Sequence, residues 1–246
     1  MTVPTVSVVV PAYNEERRLA QSLERIMDHR SCVCSVDEII VVDDGSRDCT
    51  AELVERAQAF DGRVRAVRFT KNRGKGAAVR AGVAASTSDW ILVTDTDLST
   101  PLIELDSLVR YGDLGYDVVI GVRRIRHNQP LHRRIVGHGF NLFVRAALGV
   151  DFADTQCGFK LYERRAGKDL FSRQHLDSYA FDVEVLLLAL GRYRVREVPV
   201  FWAHTPLSRV ALGRDSVRMF ADVLSLRRTR TALEPHGTAR LRLTER

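Results

Sequence analysis

Short β-branched runs alternate with longer amphipathic stretches through the first half of the chain, and few folds accept that pattern. A strand that returns through a helix-length crossover pairs in parallel with its predecessor, so the alternation specifies an α/β sheet with helices on both faces. The strands read as Val6–Val10, Glu38–Val42, Arg63–Phe69, Trp90–Thr94 and Asp117–Ile120. The helices between them read as Glu15–His29, Asp48–Phe60, Gly74–Ala85 and Pro101–Tyr111, with Ser46 or Asp48 suited to a cap and Pro101 to a first turn. The expected fold is a doubly wound, mostly parallel sheet.

The composition changes after Gly121. Arg123, Arg124, Arg126, Arg133 and Arg134 fall within a stretch that has no acid, where a functional loop or hinge is expected to begin. An apolar helix follows from about Ile135 to Leu148, with Val136, Phe140, Phe143 and Ala147 at helical spacing. Beyond it come the segment Asp154–Tyr162, a helix near Phe181–Leu190, a strand near Val195–Val200 and a last helix from about Arg214. These elements form one domain over 1–235, and the tail 236–246 reads as loosely ordered.

The 246 residues, 45% hydrophobic, are enough for a sizeable core, and the net charge of +6 favours an anionic partner. The arginines are not interleaved with stacking aromatics, which disfavours a nucleic-acid binder. Cys32, Cys34, Cys49 and Cys157 are too irregularly spaced for a disulfide scaffold or a zinc knuckle, and read as reduced thiols in the cytoplasm. The apolar run Val6–Val10 lacks a basic leader, so a signal peptide is not expected. No apolar run approaches the roughly 18 residues of a membrane span, so any membrane contact is peripheral.

Open α/β sheets bind ligands at the carboxyl ends of their strands. Those ends are acidic here: Pro11-Ala12-Tyr13-Asn14-Glu15-Glu16 follows the first strand, Asp43-Asp44-Gly45-Ser46 the second, and Asp95-Thr96-Asp97 the fourth. No Gly-x-Gly-x-x-Gly follows the first strand, and Gly76 stands where a P-loop needs Ser or Thr after Lys75. Asp95 and Asp97, one residue apart, can converge on a hard cation and leave positions open for substrate oxygens. The plainer alternative is a solvated turn. Lys75 opens a helix from a glycine-flanked turn, where an ammonium and backbone N–H groups can meet a phosphate.

Taken in order, Val8-Val9-Val10-Pro11-Ala12-Tyr13-Asn14-Glu15-Glu16, Val41-Val42-Asp43-Asp44-Gly45-Ser46, Asn72-Arg73-Gly74-Lys75-Gly76 and Asp95-Thr96-Asp97 resemble the family 2 glycosyltransferases, whose fold is called GT-A. Asp154-Thr155-Gln156-Cys157-Gly158-Phe159-Lys160, with Phe181-Asp182-Val183-Glu184, looks like the dolichyl-phosphate β-glucosyltransferase branch more than the dolichyl-phosphate mannose synthase branch. The resemblance runs from about Val6 to about Asp222. It implies inverting transfer of a hexose, glucose from UDP-glucose before mannose from GDP-mannose, onto a polyprenyl or dolichyl phosphate, with Mg²⁺ or Mn²⁺ at Asp95 and Asp97. It further implies that 1–121 binds the nucleotide sugar and 122–235 the acceptor. Pro11, Tyr13 and Glu15 would line the base pocket, Asp43 and Asp44 would reach base and ribose, and Lys75, Asp95 and Thr96 would lie near the donor. One departure is Ser99, where mannose synthases often carry a metal-contacting glutamine.

A phosphate monoester has a second pKa of about 6, so near neutral pH it is already nucleophilic and needs cations more than a base. Arg123 is the first candidate, then Arg133 and Arg134. If a carboxylate does assist, Asp154 is preferred, with Asp182 as competitor. Gln156 and Lys160 can orient sugar hydroxyls or a phosphate. The helices Ile135–Leu148 and Val217–Leu226, with Arg227, Arg228 and Arg230, are candidates to lie along an anionic membrane surface, or else pack on the core. A nucleotide-sugar-binding protein without catalysis is the alternative from another class.

Overall fold

Val6, Val8, Val9 and Val10 are all fully buried, so β1 (Thr5–Ala12) is covered on both faces. Each such side chain contributes about 1.5–3 kcal/mol by leaving water. The computed structural model describes residues 3–127, 131–203 and 214–233. Within them, β1 stands inside a seven-stranded sheet of order β3-β2-β1-β4-β6-β5-β7. The remaining strands are β2 (Ser35–Asp43), β3 (Val64–Arg68), β4 (Trp90–Val93), β5 (Val118–His127), β6 (Lys160–Glu163) and β7 (Val195–Ala203).

Successive strand residues feed opposite cores, as the pleat requires. Val8, Val10, Ile39 and Val41 pack with Leu23 and Ile26 of α1 (Leu19–Met27), Val54 of α2 (Thr50–Phe60) and Leu108 of α4 (Leu105–Asp113). Val9, Ile40 and Val42 pack on the other face with Val79 and Val83 of α3 (Lys75–Ala85) and Leu186 of α7 (Phe181–Ala189). Phe140 of α5 (Leu131–Leu148), Phe171 of α6 (Arg164–Ser172) and Val223 of α8 (Arg214–Leu233) extend that second layer. Gly82 lets α3 close onto the sheet, since a β-carbon there would stand 2.3 Å from Val9 Cγ1.

β3, β2, β1 and β4 pair in parallel, and β5 pairs in parallel with β7. β6 is antiparallel to both β4 and β5, which places the turn before it beside the end of β4. One expectation needs correction, and one helix is new. The arginine block does not open a loop at Gly121: β5 continues to His127, carrying Arg123, Arg124 and Arg126 along β7. α6, at 164–172, was not anticipated; its Arg-Arg and Lys-Asp pairs dilute the apolar stripe formed by Ala166, Leu170 and Phe171. The side chains of Arg124, Arg126, Arg133 and Arg134 and the tail 236–246 lie outside the described residues.

Candidate active site

The loops after β1 and β2 are laced together by their own polar side chains. Asn14 N–H donates to Ser46 Oγ at 2.9 Å, Arg47 N–H to Asn14 Oδ1 at 2.8 Å, and Glu15 N–H to Thr50 Oγ1 at 2.7 Å. Asn14 adopts φ 54°, a left-handed conformation that asparagine tolerates. Pro11 and Tyr13 are half-buried at this edge. Glu15 is buried, with its carboxylate gripped by Arg18, one contact being Nη2 to Oε1 at 2.6 Å.

The adjacent aspartates are held differently. Asp44 accepts from Asn72 Nδ2 at 2.9 Å, Arg73 N–H at 2.7 Å and Gly74 N–H at 2.9 Å, so it folds the 72–74 turn that presents Lys75. Burial raises its pKa above the usual carboxylate value, against the pull of those N–H groups. Asp43 Oδ1 accepts from Ser46 N–H at 2.9 Å, whereas its Oδ2 is buried without a hydrogen bond and has Arg68 Nε at 3.4 Å. Asp43 thus retains an acceptor for a ligand; Asp44 has three donors from its own chain.

Asp95 O accepts from Leu98 N–H at 3.1 Å, closing a tight turn in which Leu98 has φ 45°. Thr96 fastens this turn to β1 by donating to the Pro11 carbonyl at 2.7 Å. Ser99, the residue at the mannose synthases' glutamine position, offers its N–H to Asp97 Oδ1 at 3.0 Å. Lys75 Nζ lies 2.5 Å from Asp95 Oδ1. Burial favours the neutral form of Asp95, but Lys75, Lys160 and Arg123 prevail and hold its pKa below the usual value. Asp97 shifts the other way: burial first, then the charge of Asp95, raise it.

Beyond β4, Arg123 on β5 pairs with Asp154 through two nitrogens, Nε to Oδ2 at 2.6 Å and Nη2 to Oδ1 at 2.7 Å, and its guanidinium stands 5.6 Å from the Trp202 ring. Asp154 also caps its own turn, accepting from Gln156 N–H at 3.1 Å. Gln156 Nε2 is buried without a hydrogen-bond partner. Lys160, at 1% exposure, lies 2.6 Å from Asp182 and donates to the Cys157 carbonyl, so these two buried charges neutralise each other. Asp182 and Asp95 together keep the Lys75 ammonium protonated against its burial.

Three contributors escaped sequence reasoning. Arg18 reaches from the start of α1 to within 3.6 Å of Asp97 Oδ2. Glu197 on β7 accepts from Ala153 N–H at 2.8 Å, steadying the turn that carries Asp154. Gly158 makes room for Asp95, since a β-carbon there would fall 2.1 Å from Asp95 Oδ2. A basic residue three places after Glu15 was the one visible cue among them.

Acidic groups at the ends of parallel strands thus face fixed cations on the neighbouring turn. A model of glycosyl transferase family 2 matches residues 7–171. The chain belongs to glycosyl transferase family 2. Among this family member's relatives, the dolichyl-phosphate beta-glucosyltransferase of Dictyostelium discoideum is 32% identical over 90% of this chain and 73% of its own length. That of Homo sapiens is 32% identical over 90% and 74%. A crystal structure of glucosyl-3-phosphoglycerate synthase from Mycobacterium tuberculosis with phosphoglyceric acid has TM-score 0.69 at 24% identity, covering 90% of this chain and 79% of that one. The same enzyme with Mn²⁺, UDP-glucose and phosphoglyceric acid has TM-score 0.66 at 24% identity, covering 91% and 79%. These likenesses agree in fold, and the GT-A architecture expected from the motifs is present. No helix among the described residues is long and apolar enough to cross a membrane.

Proposed function

We propose that this glycosyltransferase moves glucose from UDP-glucose onto a polyprenyl or dolichyl phosphate with inversion, aided by Mg²⁺ or Mn²⁺ at Asp95 and Asp97, at the surface of an anionic membrane. The observation that carries the reading is the half-buried, hydrogen-bonded Arg123 beside the acidic strand ends, which gives a phosphate acceptor a fixed cation facing an anionic donor. The named relatives support glucose and dolichyl phosphate as the pair.

The residues fit a divalent cation. Two carboxylates one residue apart suit a hard cation whose remaining coordination comes from substrate oxygens and water. Asp95 and Asp97 also lie close enough for their charges to repel, a repulsion that a cation between them would relieve. Such an ion would supply Lewis-acid stabilisation of the departing diphosphate.

The chain's own residues do the rest. Asp43 offers its Oδ2, which has no hydrogen bond, to the nucleoside, and Tyr13 offers a flat apolar face. Asp44 holds the 72–74 turn so that Lys75 stands at the diphosphate end. Arg123, fixed by Asp154, lowers the repulsion between the acceptor phosphate and the donor, and an already ionised phosphate attacks without a general base.

The test is transfer of labelled sugar from UDP-glucose, with GDP-mannose in parallel, to a short polyprenyl phosphate, with Mn²⁺ and with excess EDTA. Metal-dependent glucosyl lipid, abolished by Asp97→Asn, is the expected result. Mannosyl lipid corrects the donor. Absence of both lipids while UDP still binds rejects the acceptor.

A further inference from the structure

Lys75 is positioned more rigidly than a mobile phosphate-binding side chain requires. Gly74, at φ 107°, precedes it as the cap of α3, and a β-carbon at Gly74 would stand 2.3 Å from the Asp177 carbonyl. Gly76 N–H donates to that same carbonyl at 2.9 Å. Asp44 binds the other side of the turn through Asn72, Arg73 and Gly74. From this anchored backbone the ammonium reaches Asp95 Oδ1 at 2.5 Å.

Asp95 occupies space that only a glycine at 158 leaves open, since a β-carbon there would fall 2.1 Å from its Oδ2. The Asp95 side chain is nevertheless 41% exposed and the Lys75 side chain 20%, so both are reachable by an incoming ligand. An ammonium and a divalent ion cannot share one carboxylate oxygen without repelling each other at contact distance. Asp97 meets the same situation more loosely, with Arg18 Nη1 at 3.6 Å.

We propose that Lys75 is the resting counter-ion of Asp95 and competes with the divalent cation until the nucleotide diphosphate arrives to take the ammonium. The inference rests on the cation site of the proposed function and adds an order to it. Metal alone binds weakly because it must displace Lys75. Diphosphate relieves the competition by giving the ammonium another anionic partner, so nucleotide and metal each strengthen the other's binding, reciprocally. The ion pair also keeps Asp95 from trapping a cation when no donor is present.

Direct Mn²⁺ binding, read from the electron paramagnetic resonance signal of free Mn²⁺, tests this on the full chain with and without UDP. Without UDP, Lys75→Gln is expected to bind Mn²⁺ at least about tenfold more tightly than wild type, the scale on which an adjacent unit charge shifts a carboxylate's affinity for a cation. Lys75→Arg, which keeps the charge, stays within about twofold of wild type, well inside that scale. With UDP, the advantage of Lys75→Gln disappears, so the gain in Mn²⁺ affinity that UDP gives wild type is reduced in the variant. Lys75→Met carries the same expectation should the Gln protein fail to fold, as judged by circular dichroism. Equal or weaker Mn²⁺ binding by folded Lys75→Gln or Lys75→Met without UDP overturns the proposal while wild-type binding, lost in Asp97→Asn, leaves the cation site standing. No Mn²⁺ binding by any form, even with UDP, overturns the cation site and this proposal together.

Discussion

Arg123 holds Asp154 by a two-nitrogen fork, at 2.6 and 2.7 Å, although the residues stand 31 positions apart in the chain. The Asp154 side chain is 5% exposed and that of Arg123 18%. An aspartate gripped in this way orients a cation; it is badly placed to collect a proton. Asp154→Asn is therefore expected to lower turnover across the whole pH range without deleting a limb of the pH–rate profile, and to destabilise the fold by about 3 kcal/mol, the usual cost of breaking a buried pair. Loss of one limb alone would reassign Asp154 as the base.

Arg123→Lys keeps the charge and removes the fork. Lysine cannot match a carboxylate through two parallel N–H bonds, nor stack over Trp202 as the planar guanidinium does. Turnover is expected to fall about a hundredfold with KM for UDP-glucose nearly unchanged, because the donor does not depend on this fork. Steady-state kinetics with donor and acceptor varied separately decide it.

Gly158→Ala and Gly82→Ala separate site geometry from packing. Both introduce a severe contact, 2.1 Å to Asp95 Oδ2 in one case and 2.3 Å to Val9 Cγ1 in the other. Overpacking costs each about 1–3 kcal/mol, measurable by denaturant unfolding. Only Gly158→Ala displaces Asp95, so at matched folded fraction it alone should weaken Mn²⁺ binding, by about tenfold or more, the cost of a misplaced carboxylate. Parallel Mn²⁺ affinities in the two variants refute a special role for Gly158.

Asp43 and Asp44 looked equivalent in the sequence, and that is where one-dimensional reading reached its limit. Strand ends were legible because β-branched alternation and the acids that follow each strand are local signals, and so Asp43, Asp95 and Asp97 were placed at the ends of β2 and β4, where they stand. Partners were not legible. Asp154 with Arg123, Lys160 with Asp182 and Gly158 with Asp95 meet only because β6 runs antiparallel between β4 and β5, a pairing that depends on the whole sheet. The arginine block misled for a related reason. Charge density after Gly121 suggested a loop, whereas pairing with β7 carries the strand through it.

The split between the two aspartates gives its own prediction. Asp43→Asn removes the charged acceptor that has a buried, unbonded oxygen, so uridine and UDP should weaken alike, by about tenfold, the loss of one charge-assisted hydrogen bond. Asp44→Asn loosens the turn before Lys75, so UDP should weaken while uridine, lacking phosphates, binds nearly as before. Calorimetry with the two ligands reads the difference, and equal losses for both ligands in Asp44→Asn would contradict the assignment.

Glu38 supplies a pH test of the scaffold away from the site. Its carboxylate accepts from Ser7 Oγ at 2.5 Å, Thr87 N–H at 2.7 Å and Arg65 Nη1 at 2.7 Å, tying β1, β2 and β3 to the turn before β4. Burial opposes its charge, but these donors outweigh burial and bring its pKa from 4.5 down to about 2. A depressed folded pKa means that the stabilisation is fully present above the unfolded value and is lost as pH falls through the window from 4.5 toward 2. Glu38→Gln should therefore be less stable than wild type by about 1–3 kcal/mol near neutral pH, the range for hydrogen bonds to a charged group. That gap should stay level down to about pH 5 and narrow by about pH 3, with activity at neutral pH unchanged because Glu38 lies outside the acidic strand ends. Urea unfolding of both proteins across this range measures the gap; one that stays constant to pH 3 means that Glu38 does not hold its charge in the way these hydrogen bonds require.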